Sequence, residues 1–389
     1  MYSLESAEKL ISAVKSVITS NKERLKKVNK LITQDTDYWI QHDVDFVMEY
    51  LDTYMQHHRD LICSKRKGRG NVLIILSYNE PFVLSVIPVL NAILAGNDVT
   101  VRTSSSNQSF FADIWFRSLA VEECAVALTH VNWDVSEIYT HIHAFDDVYY
   151  FGSHENAAKL SAECGKHYVG FHSEVEGADV KVILPDRKAK FAIKTDVQAT
   201  LRDSFSHAGQ SCQRVQGVFL PNAIKDEYMK ELCHALQNTK VIDTYVEKNF
   251  LPSEKLQVAL KIDIEAAEPK QVVSDQKSVP LLIFEPHPSS QLVQKAYFYP
   301  MLWVIGYDST DELLHLLTNR TYHLGINIYG KNQDEIDSII EKTYFSRYTV
   351  NSSHIDIRPG EGWGGFRPTG LGGNRRWIEH FSYPFEIID

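Results

Sequence analysis

Between two polar stretches, residues 71–76 read Asn-Val-Leu-Ile-Ile-Leu, a short unbroken apolar run. A strand with one wet face alternates polar and apolar side chains. An unbroken run of this length suits a strand covered on both faces, as in a parallel sheet flanked by helices. The pattern that follows agrees: a helix over 82–94, a strand at Val99–Arg102, a helix around Phe110–Leu119 and a strand at Asp147–Phe151. Strands alternating with helices imply a parallel α/β sheet. A second alternating stretch runs from Val180 to Asn351, with strand candidates at 181–185, 217–221, 301–307 and 325–330.

Ahead of the first sheet, apolar residues recur at helical spacing, as in Leu10, Ile11, Val14, Val17 and Ile18, so the chain to about Leu61 is expected to be α-helical. Lys65–Arg69 is expected as a polar connector. A glycine-rich segment, 360–373, precedes the tail FSYPFEIID, which should end as a short strand. Its edge would be exposed in a monomer, which predicts a homodimer. At 389 residues the chain can build two domains. The expected division is an amino-terminal and cofactor-binding domain over 1–176, a catalytic domain over 177–360, and a carboxyl-terminal segment over 361–389.

A net charge of −10, with Lys and Arg scattered among acidic residues, argues against nucleic acid as a partner. The longest apolar run, Phe82 to Gly96, is interrupted by Pro88 and Asn91, so no membrane span is expected. The first residues lack the basic-then-apolar order of a secretory signal. Five widely spaced cysteines with no C-x-x-C pair indicate neither a disulfide framework nor a zinc site, and a reducing cytoplasmic setting follows. The sixteen histidines show no metal-like spacing with carboxylates, and no metal is expected.

Four places carry residues suited to chemistry. Cys212 sits among Ala208, Gly209 and Ser211, small residues that let the backbone turn tightly and leave space beside a nucleophilic sulfur. Cys63, Cys124, Cys164 and Cys233 lie in charged or helical surroundings and read as structural. Asn79 follows the 71–76 strand, where α/β proteins build their sites, and its amide could donate to an oxyanion or serve as a turn former. Gly152-Ser153 forms a strand–turn–helix joint whose N–H groups would face an anion. Glu174 and Glu176 flank a turn and could supply a general base.

In their order along the chain, these segments resemble the aldehyde dehydrogenase superfamily. The strand-Asn-Pro opening over 71–102, YYFGSHENAAKL, HSEVEGADVKVILPD, SHAGQSCQRV, YHLGINIYGKN, YTVNSS and GWGGFRPTGLGGNRRWIEHFSYP match its blocks in sequence from Asn71 to Pro384. The resemblance implies a Rossmann-type cofactor domain, an α/β catalytic domain and a short oligomerisation strand. It implies Cys212 as nucleophile, Asn79 as oxyanion donor and Glu174 as general base, with Ser77, Tyr78, Arg102, Ser105, Gly152 and Ser153 binding NAD or NADP.

The implied reaction is NAD(P)-dependent oxidation of an aldehyde to a carboxylic acid through a Cys212 thiohemiacetal and thioester. Two alternatives stand beside it: NADPH-dependent reduction of an acyl-CoA or other acyl thioester to aldehyde, and an inactive binding protein. The chain departs from the family at Ala296, where a glutamate usually holds the nicotinamide ribose, at Ala157, at Gly217 in place of an arginine, and at Glu176-Gly177 in place of a double glycine. Ser105 has no carboxylate to repel a 2′-phosphate and Arg102 could attract one, which favours NADP.

Overall fold

The computed structural model describes residues 3–121, 127–274, 280–353, 355–370 and 373–386. The chain divides into two compact units: Met1–Val175 with Ile357–Gly364 and Gly370–Asp389, and Glu176–Asp356 with Gly365–Thr369.

The first unit opens with two helices, α1 (Leu4–Thr33) and α2 (Asp37–Cys63), where the apolar spacing suggested one helical region. Ser3 caps α1 by accepting the Ser6 N–H. Gln34 ends it in the left-handed region at φ 59°, with its N–H bonded back to the Lys30 carbonyl. No glycine marks this stop, which is why the spacing alone ran through it. After β1 (Arg66–Gly68) come β2 (Asn71–Ile75), α3 (Pro81–Leu94), β3 (Asp98–Arg102), α4 (Gln108–Val121), β4 (Leu128–Val131), α5 (Val135–His141), β5 (Asp147–Phe151), α6 (His154–Lys166) and β6 (Gly170–Glu174).

Five of these strands form a wholly parallel sheet in the order β4-β3-β2-β5-β6. The apolar run at β2 is covered on both faces. Val72 and Ile74 pack with Leu90 and Phe110, while Leu73 and Ile75 pack with Ile138, Leu160 and Cys164. Each such side chain contributes about 1.5–3 kcal/mol by leaving water. Burial also pushes the Cys164 thiol up to about 12, in keeping with a structural cysteine. The chain builds outward from β2 through β3 to β4, then returns to the other side of β2 for β5. The crevice between the carboxyl ends of β2 and β5 is therefore the topological switch point.

The second unit contains β7 (Asp179–Ile183), α7 (Lys190–Ser204), β8 (Val215–Pro221), α8 (Asn222–Gln237), α9 (Thr239–Tyr245), α10 (Glu254–Ala266), β9 (Gln271–Ser274), β10 (Leu281–Phe284), α11 (Gln291–Gln294), β11 (Met301–Tyr307), α12 (Thr310–Thr318), β12 (Gly325–Tyr329), α13 (Gln333–Lys342) and β13 (Arg347–Val350). Its seven strands lie in the order β13-β12-β7-β8-β11-β10-β9, parallel except for the antiparallel edge strand β9. No helix among the described residues is long and apolar enough to cross a membrane.

The tail corrects one expectation. After α14 (Trp377–His380), the last strand among the described residues is β14 (Ser382–Pro384), which pairs antiparallel with β1 of the same chain. The presumed connector is thus a strand: Arg66 lies opposite Pro384 and Gly68 opposite Ser382, and the Arg66 guanidinium donates to the Ser382 hydroxyl and carbonyl. Residues 387–389 of the tail, like Cys124, lie outside the described residues.

One feature of the first unit sets a pH limit. His58 on α2 is 1% exposed, packed against the Tyr50 and Tyr54 rings, and neither ring nitrogen has a hydrogen-bond partner among the described residues. Burial, aided by Arg376 and His57 and opposed by Asp60, lowers its pKa from 6.5 to about 4. The unfolded chain therefore takes up a proton below pH 6.5 that the folded protein refuses until about pH 4. Stability falls through that window as acid is added, by about 3 kcal/mol for this group. His58→Phe should flatten the decline, as measured by urea unfolding at pH 7 and pH 4.5; an unchanged pH dependence would refute the assignment.

Candidate active site

In the first unit, every candidate residue sits at the carboxyl edge of the parallel sheet. Ser77, Tyr78 and Asn79 follow β2, and Pro81 at the first position of α3 turns the chain into the helix. The Ser77 hydroxyl donates to Asn79 Oδ1 at 2.7 Å, which fixes the orientation of the buried amide. Asn107 Nδ2 donates to the carbonyls of Ser77 and Tyr78 at 3.1 and 3.3 Å and holds the loop from below. Burial, with Asp35 nearby, pushes the Tyr78 phenol up to about 12.

Arg102 ends β3. Its Nε donates to the Trp133 carbonyl at 3.1 Å, and its two terminal nitrogens make no hydrogen bond to the described residues. Half-burial lowers its pKa, and Tyr150 and Asp134 act against that. Ser105 is exposed on the short turn Ser105–Asn107 that follows.

Gly152 and Ser153 join β5 to α6. A Cβ on Gly152 would overlap the Tyr150 hydroxyl and ring, so only glycine fits there. That hydroxyl accepts the Ser153 N–H at 3.0 Å, and the Ser153 hydroxyl accepts the Asn156 N–H at 3.4 Å. Two of the N–H groups at this helix start are therefore already used within the chain, which leaves less for an anion than the joint alone suggests.

Glu174 ends β6. Its carbonyl accepts the Gly152 N–H at 3.3 Å, it forms a bridge with Gly370, and a Cβ on Gly364 would come within 3.2 Å of its Oε1. Glu174 lines a narrow cleft with Tyr149, His172, Trp363, Trp377 and His380. His172 stacks on Tyr149 at 4.5 Å and pairs with Asp147 at 3.1 Å; His380 Nε2 bonds the Trp363 carbonyl at 2.8 Å. Burial holds the His380 imidazole low, at about 4. Glu176 belongs to the second unit, where its charge and, above all, burial raise the Tyr322 phenol to about 12.

Cys212, in the second unit, is half-buried just ahead of β8, at the amino edge of its sheet. It follows the turn Ser206–Gly209, in which His207 (φ 51°), Ala208 (φ 51°) and Gly209 (φ 80°) are all left-handed. For the two residues with side chains this costs roughly 1–2 kcal/mol each. Glycine is needed at 209 for a second reason, because a Cβ there would overlap the Tyr299–Pro300 backbone. A Cβ on Gly177 would overlap the Cys212 carbonyl oxygen, so the single glycine retained after Glu176 is the one that lets the cysteine loop approach β7.

Sequence reasoning missed what holds this loop. Arg214 is 1% exposed; Nη2 and Nε donate to the Tyr297 carbonyl at 2.6 and 3.2 Å and Nη1 to the Met301 carbonyl at 2.9 Å. Gln216 binds the Lys295 carbonyl and the Tyr297 N–H, at 2.6 and 2.9 Å. The segment bearing Ala296 is thus secured by its backbone, while residue 296 itself offers only a methyl group. Burial lowers the Arg214 guanidinium to about 9, with Asp179 opposing, and it remains a cation at neutral pH. Gly217 makes room for the Trp303 ring, which a Cβ would overlap. The available clue was an arginine two residues past the cysteine, immediately ahead of a largely apolar strand.

Comparison with known proteins accords with this architecture. A sequence profile described as the aldehyde dehydrogenase family matches residues 3–384. The 4,4′-diaponeurosporen-aldehyde dehydrogenase of Staphylococcus aureus is 24% identical over 337 residues, covering 83% of this chain and 71% of that protein. Lactaldehyde dehydrogenase of Escherichia coli is 22% identical over 405 residues, covering 93% and 81%. Among solved structures, betaine aldehyde dehydrogenase from Staphylococcus aureus in complex with NAD+ superposes with a TM-score of 0.85 at 18% identity, over 98% of this chain and 82% of that one. The chain belongs to the aldehyde dehydrogenase family of oxidoreductases.

Proposed function

We propose that this protein oxidises an aldehyde to a carboxylic acid with NAD(P)+, through a thioester on Cys212. The observation that carries the reading is the Cys212 loop: a half-buried thiol beyond a strained turn, braced by Gly177 and Arg214. A strained backbone that its surroundings over-determine is a mark of pre-organisation.

In this reading the Cys212 sulfur adds to the aldehyde carbon and its proton passes to the new alkoxide or to solvent. Asn79, its amide oriented by Ser77, donates to the carbonyl oxygen as charge gathers there. A nicotinamide dinucleotide bound at the β2–β5 crevice would supply the hydride acceptor that oxidation of the thiohemiacetal carbon on Cys212 requires. Glu174 takes a proton from water as that water attacks the thioester, which frees the acid and restores the thiol.

The residues present fit such a cofactor unevenly. The terminal nitrogens of Arg102 and the exposed Ser105 hydroxyl suit a ribose 2′-phosphate, which favours NADP. Ala296 supplies no ribose contact. The E. coli and Staphylococcus relatives support aldehyde oxidation and NAD(P) use in general terms.

Cys212→Ser should abolish aldehyde-dependent reduction of nicotinamide, while Glu174→Gln should keep a single burst of reduced nucleotide and then turn over slowly, because acylation precedes hydrolysis. If aldehydes give no turnover and acyl-CoA with NADPH yields aldehyde, the reaction runs as a reductase; if neither pair reacts, the oxidation reading fails. Gly177→Ala should leave the circular dichroism spectrum intact and lower kcat by about 10²-fold, since a displacement near 1 Å at the reacting atom has that effect. Calorimetry should show NADP+ binding more tightly than NAD+, with Arg102→Gln weakening NADP+ by about tenfold and leaving NAD+ nearly unchanged. Tighter NAD+ binding by the parent protein would reject the NADP preference.

A further inference from the structure

The mechanism above leaves one buried ion pair unused. Lys181 on β7 and Asp203 on the last turn of α7 are both fully buried and meet at 2.9 Å through Nζ and Oδ2. The Tyr329 ring of β12 lies 4.5 Å from Nζ. Asp203 Oδ1 accepts the Ser353 hydroxyl at 2.7 Å. Ser353 accepts Arg202 at 2.6 Å, and Arg202 grips Asp356 with both terminal nitrogens. The pair therefore joins β7, α7 and β12 with Ser353 and Asp356. The polar face of α7 was legible: Asp196, Thr200 and Asp203 fall at helical spacing beside the apolar residues Ile193, Val197 and Leu201.

A buried ion pair is a poor source of stability, because the water taken from both charges offsets most of their attraction, and well-packed apolar residues do as well or better. What the pair supplies is a fixed position. The Asp203 carbonyl accepts the Ser206 hydroxyl at 3.3 Å, and Ser206 opens the left-handed turn that leads to Cys212. Arg214 holds the Tyr297 and Met301 carbonyls of the segment that Gly209 abuts, at the far end of the turn, and the Asp203 carbonyl holds its near end through Ser206.

We propose that Lys181 and Asp203 form a positioning pair, which anchors α7 so that the strained turn presents the Cys212 thiol in one reactive pose. The proposal rests on Cys212 as nucleophile.

The deciding variant is the double substitution Lys181→Met with Asp203→Leu, which replaces both charges with apolar side chains. Three quantities are compared with the parent protein: thermal unfolding, the rate of iodoacetamide alkylation of Cys212, and kcat with KM for an aldehyde. The expected result is a melting temperature near the parent's, at least about tenfold slower alkylation, and kcat lowered about 10²-fold with KM within about twofold. A stable double variant with parental alkylation and kcat overturns the proposal. If the double variant does not fold, Asp203→Asn, which keeps the side-chain shape, carries the same two outcomes. Alkylation needs no substrate, so it reads the pair even where the choice of aldehyde is wrong. Parental Cys212 reacting no faster than the exposed Cys63 would instead sink the nucleophile assignment, and the positioning role with it.

Discussion

A guanidinium buried without a touching carboxylate is an expensive group to keep, and the second unit is organised around one. Arg214 loses its water and recovers hydrogen bonds from two backbone carbonyls and the Gln216 side chain. Those carbonyls belong to the segment 297–301, which in turn is the surface Gly209 leans on. Thus one side chain sets both the wall and, through Gly209, the strained turn before Cys212. Remove the cation and the Tyr297 and Met301 carbonyls lose their donors, and the wall that Gly209 abuts loses its reference.

The sheets explain where the candidate residues sit in each unit. In the first, Asn79, Arg102, Gly152 and Glu174 collect at the carboxyl ends of four neighbouring parallel strands, because every β-to-α joint of such a sheet opens there. In the second, Cys212 stands at the opposite, amino edge, delivered by a turn after α7. A residue at that edge receives no help from the ordinary strand-to-helix joint. It has to be placed by side chains and by missing Cβ atoms, and Gly177, Gly209 and Arg214 are those placements.

This difference also explains how far the sequence could be read. The strand at 71–76 declared itself because both faces are apolar, and the order of blocks along the chain carried the fold class. The pairing of β1 with β14 stayed hidden, since three-residue strands with basic side chains carry no period and their partners lie more than three hundred residues apart. Arg214 and Lys181 were passed over because a charged residue is read as a solvated one, and only the packing shows that water cannot reach them. Gly177 looked like half of a lost motif until the Cys212 carbonyl was seen to need its empty side.

The loss at Ala296 weighs less against an enzyme than it does in the sequence alone. Within that segment, the Lys295, Tyr297 and Met301 carbonyls and the Tyr297 N–H are engaged by Arg214 and Gln216, which secures the wall behind the cysteine loop. The side chain at 296 is a separate matter, concerned with a ribose contact. Exchanging a glutamate for a methyl group therefore removes one grip on a cofactor without loosening the thiol. A chain with no use for the thiol could shed the strain at His207 and Ala208 by placing glycine there, which adopts positive φ freely. This chain keeps two side chains in left-handed backbone instead, between the Ser206 hydroxyl bonded to the Asp203 carbonyl and the Tyr299–Pro300 backbone against Gly209.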